Sequence, residues 1–184
     1  MKKMRVLKSV AAAIALVCLV SGSSNRIVAQ QSEPSLNETV EWITTKVNAE
    51  GSFPFRGAVG RGTDTEKVVG FSACTLRAEL HRENRDPEGL STLRWDIEYP
   101  LKELSPDVKV KRGDGFYYIG VNATARPSIN VRIRSTPSYT SPRDETKKVS
   151  NYGFGYFNTE DTAQRVAKAL SHAITLCGGK KELF

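Results

Sequence analysis

Metal-binding and catalytic side chains are scarce in this sequence. Its 184 residues include three cysteines and two histidines, and none of them has the neighbouring ligands that a tetrahedral zinc site requires. His81 and His172 are the two candidates for a histidine base. We therefore predict no metal site, no bound cofactor and no catalytic residue.

Long hydrophobic runs are absent as well. The longest apolar stretch, Val10 to Val20, has eleven residues, whereas a membrane-spanning helix needs about 20. Basic residues precede this stretch, and small or polar residues follow it up to Ala29. That order is typical of a secretory signal peptide. We predict that residues 1–29 are removed, and that the mature chain, residues 30–184, is secreted or periplasmic without stable membrane insertion.

The mature chain also lacks an excess of charge of one sign. The full sequence has 27 Lys and Arg residues against 20 Asp and Glu residues. Five of the basic residues and none of the acidic ones fall within the predicted signal peptide, which leaves 22 against 20. A chain with nearly equal numbers of basic and acidic residues lacks the excess positive charge that binds nucleic acid. We expect no nucleic-acid partner, and instead an unknown protein or small molecule.

Two helices are predicted near the ends of the mature chain. Ser35 and Glu38 have the spacing of a capping box. Apolar residues then recur at intervals of three and four, which predicts an amphipathic helix over Leu36–Glu50. Gly51 is expected to end this helix in the left-handed conformation. A second apolar stripe with the helical period reaches Cys177 and predicts a C-terminal helix.

Apolar and polar residues alternate with a period of two between the helices. The alternation at residues 67–81 and 93–99 predicts an antiparallel hairpin with one buried face. Shorter strands are predicted at residues 108–110, 116–123, 129–134 and 152–157. The glycine-rich residues 51–65 and the polar residues 135–150 are expected to be loops. A helix, an antiparallel meander of about six strands and a second helix make one α+β domain over residues 30–184.

Cys74 and Cys177 are the two cysteines of the mature chain. Each is placed on the apolar face of its segment, by a period of two and of 3.6 residues respectively. An oxidising compartment allows a disulfide to persist, and no third mature cysteine competes. We therefore predict a Cys74–Cys177 disulfide. The alternative is two buried free thiols, because cysteine also packs as a small apolar residue.

A catalytic serine is a further alternative. Residues 70–74 nearly match the nucleophile elbow, with Ser72 as the nucleophile and Cys74 in place of the last glycine. That motif requires a strand, a sharp turn and a helix, whereas a strand is predicted to continue here. His81 is expected on the outward face of a strand, and His172 on the polar face of its helix. A small secreted hydrolase is therefore a second hypothesis.

Four arginines are predicted to point outward from the sheet: Arg77, Arg94, Arg132 and Arg134. They form a candidate anion-binding surface. Acidic residues, including Glu79 and Asp96, share the same strand faces. Cross-strand pairs of opposite charge stabilise a solvated sheet, so a charge-paired surface is the competing interpretation.

Some segments resemble a known group of proteins. The segments are Cys74-Thr75-Leu76, Leu93-Arg94-Trp95-Asp96, Phe157-Asn158-Thr159-Glu160-Asp161-Thr162-Ala163 and Leu176-Cys177-Gly178-Gly179. Over residues 66–179 the chain resembles uncharacterised secreted bacterial proteins with a pleckstrin-homology-like strand meander and C-terminal helix. The resemblance implies a partly closed barrel or a strongly bent sheet, with the last helix packed on it. Phosphoinositide-binding members use a basic stretch between their first strands. Here residues 82–86 contain Glu83 and Asp86, so that activity is not implied.

These observations favour a secreted or periplasmic, non-catalytic domain that binds a ligand or protein. A small secreted hydrolase and an envelope-associated structural protein are the alternatives.

Overall fold

Two antiparallel sheets and two helices make up the computed structural model, which describes residues 33–57, 60–86, 89–135 and 144–179. The fold is α+β, as predicted. The predicted signal peptide lies outside the described residues. In the described part, neither helix is long and apolar enough to span a membrane.

In the described residues, the elements follow one another as a helix, nine strands and a second helix. They are α1 (Leu36–Glu50), β1 (Ser52–Gly57), β2 (Gly60–Ser72), β3 (Thr75–Asp86), β4 (Gly89–Pro100), a 3₁₀ turn (Leu101–Glu103), β5 (Lys109–Arg112), β6 (Tyr117–Asn122), β7 (Ile129–Ser135), β8 (Asp144–Val149), β9 (Asn151–Phe157) and α2 (Glu160–Leu176). One sheet has the order β1-β2-β3-β4-β7-β8, and the other has the order β5-β6-β9. The described strands therefore form two separate sheets and no closed barrel.

The two ends of the first helix are set by the capping box at Ser35 and by Gly51. The capping box is confirmed, because Ser35 Oγ accepts from the backbone of Glu38 and the Glu38 carboxylate accepts from the Ser35 N–H at 2.8 Å. The predicted left-handed end is wrong, since Gly51 has φ −74°. A glycine is needed there for another reason. A Cβ at Gly51 would lie 2.4 Å from the carbonyl oxygen of Glu66, where β2 passes close to the helix end.

Both predicted loops contain strands, and those predictions are wrong. β1 and the start of β2 occupy residues 52–57 and 60–65, and β8 occupies residues 144–149. Apolar alternation is missing from β2 because two of its buried positions are the acids Asp64 and Glu66. It is missing from β8 because this edge strand is almost wholly exposed. Backbone pairing with β3 and β7 forms these strands despite their polar sequences.

The strand predicted through Cys74 is broken by a tight turn. Ala73 and Cys74 have φ of 47° and 59°, and Ser72 pairs with Thr75 across the hairpin. Two consecutive left-handed residues make the turn that suits the twist of paired strands. The disulfide from Cys74 to Cys177 is present, with the Cα atoms 5.8 Å apart, which is within the usual range. It fastens the turn to the C-terminal end of α2.

A core fills the space between the six-stranded sheet, the helices and the three-stranded sheet. Its fully buried members include Ile43 of α1, Ile97 of β4, Phe154 of β9 and Leu170 of α2. Trp95 lies on the face of β4 that the alternation of residues 93–99 predicts to be buried, and it packs against the core. Its ring is half-buried, however, with the guanidinium carbon of Arg82 5.4 Å from the ring centroid.

Candidate functional site

The outer face of the three-stranded sheet carries three cross-strand pairs of unusual composition. Along β6 and β9 the pairs are Tyr118 with Tyr156, Gly120 with Gly153, and Asn122 with Asn151. A register shift next to Tyr118 keeps both tyrosines on this face. Successive pairs on one face are separated by two residues, or about 6.7 Å. The tyrosine pair and the asparagine pair are therefore about 13 Å apart, with two glycines between them.

The paired glycines leave a groove in the sheet surface, which we call the glycine slot. Its volume is about 250 Å³, and it is lined by Lys111, Tyr118, Gly120, Val121, Asn122, Asn151, Tyr152 and Gly153. A Cβ on Gly153 would lie 3.3 Å from the Tyr118 ring, and one on Gly120 would lie 2.8 Å from the Lys111 side chain. Side chains at either position would occupy the slot, so its depth depends on both glycines.

Aromatic packing holds one wall of the slot in place. The ring centroids of Tyr118 and Tyr156 are 6.3 Å apart. Phe116 lies 6.0 Å from Tyr118 and 5.6 Å from Tyr156, and Phe53 of β1 stacks on Tyr156 at 4.5 Å. Because packed rings have few rotamers left, this wall is preorganised for a ligand.

Polar groups surround the slot without being used inside the protein. Lys111 is exposed, and within the described ranges no carboxylate lies within 4.0 Å of its ammonium. Asn122 and Asn151 are exposed, and neither side-chain amide makes a hydrogen bond to a described residue. Each amide offers two donors and an acceptor. A ligand in the slot would meet one positive charge, two amides and an aromatic wall.

The floor of the slot is held from beneath by the six-stranded sheet. Tyr99 of β4 donates its hydroxyl to the carbonyl oxygen of Gly153 at 2.6 Å. Gly155 is the extra residue of a β-bulge, with φ 64°, so its N–H has no ladder partner. Glu66 of β2 accepts that N–H at 2.9 Å. Two side chains of one sheet thus fix the backbone of β9 on either side of Phe154.

Glu66 is a buried acid that makes no ion pair with a described residue. It is 1% exposed, and its Oε1 has no hydrogen-bond partner in the described structure. Burial raises the pKa of Glu66 to about 8, although the Gly155 N–H lowers it in part. The carboxyl group is therefore protonated at neutral pH. Its neighbour Asp64 differs, because Arg82 donates to both Asp64 oxygens at 2.7 and 2.6 Å.

The tyrosines near Glu66 stay protonated for the same reason. Burial, and to a lesser extent the charge on Glu66, raise the pKa of Tyr152 to about 12. Burial likewise raises the pKa of Tyr99 and of Tyr156. This cluster therefore supplies hydroxyl donors and no negative charge beneath the slot at neutral pH.

The four arginines predicted as an anion-binding surface lie on the six-stranded sheet, away from the slot. Three of them are bound to carboxylates. Arg94 contacts Glu79 and Asp96, Arg134 contacts Asp96, and Arg132 makes two bonds of 3.0 Å to Asp144. Arg77 is exposed and has no such partner in the described part of the chain. This face has the charge-paired arrangement that was the competing interpretation.

The candidate nucleophile Ser72 and the candidate bases His81 and His172 do not lie close together. Ser72 ends β2 at a strand–turn–strand hairpin, not at a strand–turn–helix elbow. Ser72 pairs with Thr75, and His81 lies six residues beyond Thr75 on β3, which places Ser72 and His81 about 20 Å apart. The ring of His172 is hydrogen-bonded to the carbonyl oxygen of Pro34 at 3.0 Å. Over the described ranges, no three His, Cys, Asp or Glu side chains are grouped to hold a metal ion.

Sequence reasoning missed the slot and its support. Alternation placed β6 and β9 as strands, but Gly120 and Gly153 carry no signal of pairing with each other. Glu66 was missed because the sequence alone does not distinguish a buried glutamate in a strand from a solvent-exposed one. A detectable hint was the small-and-aromatic composition of Asn151–Phe157, which has two glycines and four aromatic residues.

No family model, no curated protein and no solved structure matches this chain. The resemblance to pleckstrin-homology-like secreted proteins therefore stays a prediction.

Proposed function

We propose that this chain is a secreted or periplasmic, non-catalytic binding domain, and that the glycine slot is its ligand site. The observation that carries the proposal is the Gly120–Gly153 pair. Glycine is disfavoured within strands, and a strand glycine often marks the close approach of a ligand. Two of them face each other here, beside an aromatic wall and unused polar groups.

The support beneath the slot strengthens the proposal. Binding sites need a rigid first layer and a second layer that holds it. Tyr99 and Glu66 supply the second layer through the backbone of Gly153 and Gly155. A buried acid with a strongly raised pKa is also more frequent at functional sites than elsewhere.

Export of the protein is supported by two further features. The first is the order of residues in the predicted signal peptide. The second is the disulfide between Cys74 and Cys177, which is compatible with an oxidising compartment.

The proposal is tested by filling the slot. Gly120→Val adds a side chain that strands accept well, and it displaces the flexible end of Lys111. Gly70→Val is the matched control, because Gly70 is a strand glycine on the six-stranded sheet where an added Cβ would meet the Arg77 guanidinium at 3.2 Å. Both mature proteins, and the parent, are screened by ¹H–¹⁵N NMR against a library of small neutral and charged polar molecules.

We expect compounds that shift the backbone amides of Gly120 and Gly153 in the parent and in Gly70→Val, and that have no effect on Gly120→Val. The proposal is wrong if no compound shifts these amides, or if Gly120→Val binds as the parent does. The hydrolase alternative is tested separately by a broad substrate screen with Ser72→Ala and His81→Ala. Fractionation of the producing cell tests the structural alternative.

A further inference from the structure

The size of the glycine slot restricts its ligand. Pockets for drug-sized molecules measure about 300–1,000 Å³, and the slot measures about 250 Å³. Its length is set by the tyrosine and asparagine pairs, about 13 Å apart. A single six-membered ring with its substituents fits this space. A folded peptide or a whole nucleotide does not fit.

The lining restricts the ligand's polarity. The face of the Tyr118 ring and the backbone of Gly153 offer flat surfaces, and the Lys111 methylene groups cover Gly120. Asn122 and Asn151 offer donors and acceptors together at the opposite end. An aliphatic ligand would leave these amides without water or a partner, which costs free energy. A ring with one C–H face and a rim of hydroxyl groups satisfies both ends, and pyranose sugars have that shape.

The charge at the slot restricts the ligand once more. Lys111 brings one ammonium group to the rim, and its methylene groups lie over Gly120. Of the other charges on or beside β5, Lys109 lies 3.7 Å from Asp107, and neither Lys109 nor Arg112 is among the residues that line the slot. One lysine is a single point charge, so it suits a carboxylate. Phosphate sites typically add a guanidinium fork or several backbone N–H groups.

We propose that the glycine slot binds a pyranose ring that carries a carboxylate, as in a uronic acid at the end of or within an acidic polysaccharide. The inference rests on the proposed function, because it names the ligand class of the same site. The ring stacks on Tyr118 over Gly153, beside the Lys111 methylene groups that cover Gly120. The asparagine amides bind its hydroxyl groups, and the carboxylate faces Lys111.

Two sugars that differ in one group test the inference. Methyl β-D-glucuronide and methyl β-D-glucoside are titrated into the ¹⁵N-labelled mature protein at low salt, and the amides of Gly120 and Gly153 are followed. We expect both sugars to bind with millimolar Kd, and the glucuronide to bind about 1.4- to fivefold more tightly, because an exposed ion pair contributes about 0.2–1 kcal/mol. Added salt should reduce the difference.

Variants separate the charge from the slot. Lys111→Met should abolish the preference for the glucuronide and keep the binding of the glucoside. The matched control Lys148→Met, on exposed β8, should keep both. Equal affinity for the two sugars, or a preference that survives Lys111→Met, overturns the inference.

Failure of the inference and failure of the proposed function give different results. If neither sugar shifts the slot amides while another small molecule of the library does, the ligand is not a sugar but the slot is still a binding site. If no small molecule shifts them, both the inference and the proposed function are overturned.

Discussion

The outer faces of the two sheets differ in what they leave unsatisfied. On the six-stranded sheet, Arg94 and Arg134 share Asp96, and Arg132 is bound to Asp144. On the three-stranded sheet, Lys111 and two asparagine amides have no partner in the described part of the chain, and two glycines leave a groove between them. The charged face of the six-stranded sheet is therefore a weaker candidate for a binding site than the glycine slot. Polar groups without a protein partner, next to a groove, indicate a binding site better than a high density of paired charges does.

The two faces also differ in what lies behind them. The three-stranded sheet is fastened from the core side by Tyr99 and Glu66, which bind backbone atoms of β9. The arginine face depends on side-chain pairs at the protein surface, where each side chain involved keeps a quarter or more of its accessible area. Changes to the support of β9 should therefore have larger effects than changes to the arginine face.

The largest expected effect concerns Glu66. Its pKa is about 8 in the folded protein against 4.5 for the unperturbed group, so between these values the unfolded chain loses a proton that the folded protein keeps. Stability should therefore fall as pH rises from about 4.5 to about 8, by on the order of 4 kcal/mol from this group. Denaturant unfolding of Glu66→Gln across this range should show a much weaker fall than the parent shows.

The exposed Glu145→Gln on β8 is the matched control for that experiment, and it should keep the parent's pH dependence. A Glu66→Gln variant whose stability follows the parent's at every pH would show that Glu66 ionises normally, and that the support of Gly155 has another origin.

A smaller effect is expected from Tyr99→Phe. The change removes the hydrogen bond to the Gly153 carbonyl oxygen and leaves a core acceptor without its partner, which costs about 1–3 kcal/mol. The backbone amide signals around Gly153 should shift, and ligand binding in the slot should weaken. Tyr117→Phe is the control, because the Tyr117 hydroxyl makes no hydrogen bond within the described residues. Equal losses in both variants would mean that the bond to Gly153 contributes nothing specific.

The smallest effect is expected from Asp96→Asn, at the centre of the arginine face. It removes the negative charge between Arg94 and Arg134, and partly exposed ion pairs contribute about 0–1 kcal/mol. Thermal and denaturant unfolding should change by no more than this, and titrations at the glycine slot should be unchanged. Weaker ligand binding in Asp96→Asn would show that the two faces are coupled, and would remove the contrast between them.

Much of the fold could be predicted because the residues concerned obey one local rule. The helix from Leu36 to Glu50 follows from its capping box and apolar period. The alternation of residues 93–99 gives β4 its face. The loop prediction at residues 135–150 failed because the polar edge strand β8 has no apolar period to detect. The loop prediction at residues 51–65 failed because glycines and Pro54 are typical of a loop, whereas pairing between β1 and β2 holds them in strands.

The candidate site was beyond prediction for a related reason. The arginines were identified because charge is visible in a sequence, but whether a charge is paired depends on strand register. The slot exists because Gly120 and Gly153, 33 positions apart, face each other. Register between strands that are distant in sequence is a property of the assembled sheet.

By itself, the sequence determined the fold class, the two helices, the buried face of the central hairpin and the two cysteines able to pair. The fold class, the helices and the hairpin depend on patterns among residues close together in the sequence. The cysteine pair depends on the lack of a third cysteine in the predicted mature chain. Tertiary structure alone decided that Cys74 lies in a left-handed turn, that Glu66 is a buried protonated acid, and that two glycines open a groove. Those outcomes depend on which backbone atoms the packing of two sheets brings within hydrogen-bonding distance, and no local pattern encodes that.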